Sequence, residues 1–107
     1  MKLDGRPETA EEYVYLVDQL LFELEELRVA AEYDMDSLGA ANEFLDDLEG
    51  QVRELRAAMA DGSYRFGKDD LPFMKMVEAQ NDLILPFKQI FRVVNKTHRE
   101  GLAVDED

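Results

Sequence analysis

The chain has no cysteine, no tryptophan and a single histidine in 107 residues. Without cysteine there is no disulfide scaffold, no thiol nucleophile and no thiolate to ligate zinc or an iron–sulfur cluster. The one histidine, His98, has no second imidazole with which to share a metal. Bases are scarce: 12 Lys and Arg stand against 25 Asp and Glu, a formal net charge of −13. That balance makes nucleic acid an improbable ligand for the body of the protein, because backbone binding needs clustered cations. No apolar run approaches the roughly 20 residues that span a bilayer, so no transmembrane segment is expected. Residues 1–8 hold no apolar stretch of the kind a secretory signal requires, which points to a cytoplasmic protein. Apolar residues as such are not lacking. They make up 46% of the chain, enough for a core, so the acidity does not imply disorder. The length suits one domain over 1–107, with loose ends at 1–8 and 101–107.

The first helix is announced by Thr9-Ala-Glu-Glu12, which has the capping-box form, with Pro7 marking its entry. Tyr13, Val17, Leu20, Leu24, Leu27 and Ala31 then recur at alternating spacings of 4 and 3. That is a helical seam, and Val14, Leu16, Leu21 and Phe22 widen it. A second seam runs through Leu38, Ala41, Leu45, Leu48, Val52, Leu55 and Met59. Asp34, Asp36, Ser37 and Gly39 lie between the two and oppose helix, the glycine by about 1 kcal/mol. A helical hairpin turning near Met35–Ser37 is therefore favoured over one helix of roughly 75 Å. Asp36 or Ser37 would cap its second arm.

Gly62 suits the end of the second helix. Residues 63–71 form a connection pinned by Tyr64 and Phe66. An Asp69-Asp70 cap and Pro72 open a third helical region, which Pro86 either kinks or breaks near Asn81-Asp82. Gly101 ends it. The fold class is all-α: an antiparallel helical bundle, with a long hairpin and a third helix kinked at Pro86 packed along it. The long leucine seams make a homodimer plausible.

Charge is distributed unevenly. Residues 1–63 hold 17 acids and 5 bases, whereas residues 64–107 hold 8 acids and 7 bases. Lys88, Arg92, Lys96 and Arg99 fall on one helical stripe opposite Phe87, Ile90 and Val94. Such a stripe is a solvated face or an anion or partner site, for phosphate, an acidic protein or RNA, and these four are the candidate partner-binding residues.

Two carboxylate doublets could hold Mg²⁺, which takes a few carboxylates plus water and substrate phosphates. Glu23-x-x-Glu26 lies on the first helix and Glu43-x-x-Asp46 on the second. A fold-back near residue 36 would bring them to similar heights. The pattern resembles a fragment of the all-α nucleotide pyrophosphohydrolases of the MazG and dUTPase type, with Phe22 where that pattern has a leading glutamate. The resemblance implies Mg²⁺ as cofactor and Glu23, Glu26, Glu43 and Asp46 as its ligands. Other constellations fail. Gly62 to Asp69 has Asp69 where a phosphate loop needs Ser or Thr, and Asp34-Met-Asp36-Ser37 lacks the later Gly and Glu of a calcium loop. No catalytic residue is assigned. The reading that remains is a small acidic helical adaptor or regulator without catalytic activity, with the Mg²⁺-dependent hydrolase as its alternative.

Overall fold

The computed structural model describes residues 6–33, 42–80, 85 and 87–103. Among the described residues four helices carry the fold: α1 (Ala10–Tyr33), α2 (Asn42–Asp61), α3 (Met74–Ala79) and α4 (Lys88–Glu100). No strand occurs among the described residues. The chain is an all-α bundle.

The start of α1 is set by its cap. Thr9 Oγ1 accepts from the Glu12 N–H at 3.1 Å. The Glu12 carboxylate reaches back one residue further than a standard capping box, to the Glu8 N–H at 2.9 Å. The seam residues Tyr13, Val17, Leu20, Leu24 and Ala31 are buried, as are Leu45, Leu48, Val52 and Leu55 of α2. The two helices are antiparallel neighbours. Arg28 pairs with Glu49, Arg53 with Glu25 and Arg56 with Asp18, so numbers fall along α1 as they rise along α2. The hairpin is therefore present. The molecule measures 53 × 30 × 22 Å, shorter than a single 50-residue helix would be. The turn near Met35–Ser37 and its cap lie outside the described residues.

Beyond α2, Gly62 adopts φ 80° and Gly101 φ 86°, backbone conformations that β-carbon-bearing residues rarely take. Both stand just past a helix end, as their positions in the sequence indicate. Of the two alternatives for the third helical region, the break is the one found and the kinked third helix is not: α3 ends at Ala79, Gln80 is extended (φ −86°, ψ 150°), and α4 begins at Lys88. Pro86 itself lies outside the described residues. The Asp69-Asp70 cap is also absent. Phe73 stands at the α3 N-cap position without a side-chain bond, and Asp70 serves α4, accepting from Asn95 Nδ2 at 2.9 Å.

Phe73, with Met74 and Val77 of α3, joins Phe91 and Val94 of α4 and Leu85 in the same core as the hairpin. Phe73 and Phe91 meet edge to face, with centroids 5.6 Å apart. The residues before α1 are tied to those after α4: Ala103 N–H donates to the Pro7 carbonyl at 2.8 Å, and Arg6 donates to the Gly101 carbonyl at 3.0 Å.

Candidate functional site

The outward side of α1 carries a second apolar row. At 100° per residue, Tyr15, Phe22 and Val29 fall diametrically opposite the buried seam. They are 68%, 57% and 50% exposed. Phe22 thus faces away from the core it was expected to widen. The core takes the side where leucines recur at spacings of 3 and 4, because that stripe offers more area to bury than one residue per heptad. Tyr15, Asp18, Gln19 and Phe22 line a shallow depression of about 350 Å³ on this face.

The rim of the row is acidic. Glu11, Asp18, Glu25 and Glu32 border it on the side nearer α2, and Glu12, Gln19 and Glu26 on the other. Two of these carboxylates meet arginines of α2. Asp18 accepts from Arg56 Nε at 2.7 Å and Glu25 from Arg53 at 3.0 Å.

In the cationic stripe of α4, Arg92 and Arg99 are exposed and Lys88 and Lys96 half-buried. Its charges face an acidic wall. Arg92 makes a two-pronged bond to Glu78 of α3, at 3.0 and 2.8 Å, and that guanidinium holds the Glu78 carboxyl below the ordinary carboxylate range. Arg99 lies 3.4 Å from Asp70 and donates to the Lys68 carbonyl. Arg92, Lys96 and Arg99 line a groove of about 820 Å³ with Lys75, Asp70 and Glu78. Lys88 stands at the first turn of the same helix.

Of the carboxylate doublets, Asp46 pairs with Arg28 of α1, which also meets Glu49. Glu23 and Glu26 are carried by α1. Glu43 is carried by α2, and its side chain lies outside the described residues. Among the described residues, no three His, Asp or Glu side chains come together in a group suited to a metal ion. Asp34-Met-Asp36-Ser37 lies outside the described residues.

Two polar networks escaped the sequence reading. Glu49 is 5% exposed and accepts from both Arg28 and Arg53. Its hydrogen bond is the main cause that pushes the Arg28 guanidinium above its ordinary value. Nothing marks this residue among 25 acids. The second network joins three distant segments. Tyr13 Oη donates to the Val94 carbonyl at 3.0 Å and lies 3.1 Å from Tyr64 Oη. Tyr64 Oη in turn lies 2.7 Å from His98 Nδ1. A phenol has one proton to give: if Tyr13 spends its own on the Val94 carbonyl, an unbroken chain has Tyr64 donate to Tyr13 and His98 Nδ1–H donate to Tyr64. That ordering would make His98 the Nδ1–H tautomer. Burial lowers its pKa and raises those of Tyr13 and Tyr64. Gly67 packs on the other ring edge: a β-carbon there would stand 2.9 Å from His98 Nε2. Phe66 stacks on Tyr13 with centroids 6.0 Å apart. The aromatic pinning of this connection is thus present, with His98 as its inner anchor.

No protein-family model, curated protein or solved structure matches the chain. No helix among the described residues is long and apolar enough to cross a membrane.

Proposed function

We propose that this protein is a non-catalytic helical interaction module, an adaptor or regulator that binds a protein partner through the outward face of α1. The carrying observation is the exposed row Tyr15, Phe22 and Val29 on the side of α1 opposite the core. Three large apolar side chains recur at heptad spacing on a solvent face, about 10 Å apart along the helix, and add nothing to the core; apolar positions recurring along one helix face are what a partner helix contacts. The α4 stripe supports the reading less well, because Arg92 and Arg99 already meet Glu78 and Asp70.

The test is affinity capture from the native host with the wild-type chain and with Phe22→Gln, followed by identification of the retained protein. A stoichiometric partner kept by the wild type and lost by the variant supports the module. Saturable Mg²⁺ binding that maps to Glu23, Glu26, Glu43 and Asp46 and is lost in Glu43→Ala would overturn it in favour of the hydrolase.

A further inference from the structure

We infer that the outward face of α1 docks a basic amphipathic helix. The inference rests on the proposal that this face is the working surface, and it names the occupant. From Tyr15 to Val29 the row extends about 21 Å, the length of four helical turns. An apolar row of this width and straightness matches a helix whose own apolar residues recur every three to four positions. Phe22 at its centre, with the depression beside Tyr15 and Asp18, gives that helix a place to seat one large side chain.

The rim chooses the sign of the partner. The positions of α1 that flank the row are Glu11, Glu12, Asp18, Glu25, Glu26 and Glu32, with Gln19, and α1 places no base among them. Arg53 and Arg56 answer two of these acids from α2. The remainder keeps the field over the row negative, as does the net charge of −13. Lysines and arginines flanking an apolar seam complement this rim, and their attraction speeds encounter and selects against acidic helices. A second copy of this chain is disfavoured by the same residues. Stacking two α1 faces, parallel or antiparallel, sets acidic rim against acidic rim over the whole contact, as like-charged flanks do in mispaired coiled coils.

The experiment uses the full chain and two synthetic 21-residue helical peptides. Both carry one leucine seam; one has lysine at its flanking positions and the other glutamate. Calorimetry gives affinity, and backbone chemical shifts give location. The lysine peptide is expected to bind saturably, to shift the residues around Tyr15, Phe22 and Val29, and to weaken steeply between low and high salt. Phe22→Gln, which leaves the charge unchanged and removes only apolar surface, is expected to weaken it at least tenfold. The glutamate peptide is expected not to bind. Equal binding of the two peptides would overturn the inference. So would unchanged binding of the lysine peptide to Phe22→Gln, which would show unspecific charge attraction. If neither peptide binds and the chain instead dimerises in a Phe22-dependent way, the occupant is a second copy. The inference then fails while the working surface stands. If Phe22→Gln alters neither peptide binding, self-association nor capture from the host, both fail.

Discussion

Tyr13→Phe isolates one hydroxyl in the centre of the bundle. The ring is 2% exposed, and it packs against Tyr64 and Phe66 through its faces and edges, contacts that phenylalanine keeps. Loss of the oxygen removes the donor to the Val94 carbonyl and the acceptor for Tyr64. The Val94 carbonyl lies within α4, so the helix ladder still supplies it a partner. Tyr64 is half-buried, and its proton is left to turn toward His98. One neutral hydrogen bond is worth about 1 kcal/mol net, and a buried group left unpaired costs about 1–3 kcal/mol. The expected loss is therefore about 1–2 kcal/mol, or roughly 5–15 °C in melting temperature for a chain of this size. Chemical denaturation at pH 7.5 measures it. A cycle with Tyr64→Phe should show coupling on the order of 1 kcal/mol, since the two hydroxyls share a bond. Nitrogen-15 spectra of His98 supply a second readout. The wild type should show the Nδ1–H tautomer, and Tyr13→Phe should raise the Nε2–H fraction once Tyr64 is free to donate to Nδ1. A stability change under about 0.5 kcal/mol together with an unchanged tautomer would refute the proton ordering.

Three further outcomes are expected. Glu49→Ala should cost about 2–3 kcal/mol in denaturant melts, because it strips a buried acceptor from two arginines, whereas Asp18→Ala at the exposed pair with Arg56 should cost under about 1 kcal/mol. Burial lowers the folded-state pKa of His98, so the unfolded chain takes up a proton before the folded one does. Stability should accordingly fall as pH drops through about 6.5 toward the lower folded value, and thermal melts of His98→Gln should lack that component. Gly67→Ala should destabilise by about 1–3 kcal/mol through overlap with the His98 ring, and His98→Ala in the same chain should recover part of the loss in melting temperature.

The local geometry was legible in the sequence. The 3.6-residue period, the Thr9 cap and the glycines at 62 and 101 depend on contacts within one or two turns, and they marked the helix ends closely. The hairpin followed from a run of poor helix formers between two seams. The outward row of α1 is not legible as such: Tyr15 and Val29 stand outside the seam, and Phe22 reads as a widening of it. Periodicity describes a helix with itself. It does not fix how far the helix rotates against its neighbours, or how far it slides, when two sides both carry apolar groups. Packing of α1 against α2 and α4 decided that rotation and sent Phe22 outward. The same packing buried Glu49 between two arginines. It also brought Tyr13, Tyr64 and His98 together across separations of 51 and 34 residues. These relations join groups far apart in the chain, so no short window of sequence holds them. By itself the sequence determined the helical segments and the ends at Thr9, Gly62 and Gly101, which rest on contacts within a turn or two; the tertiary structure alone decided which acids are buried, which aromatics meet and which face of α1 is turned to solvent.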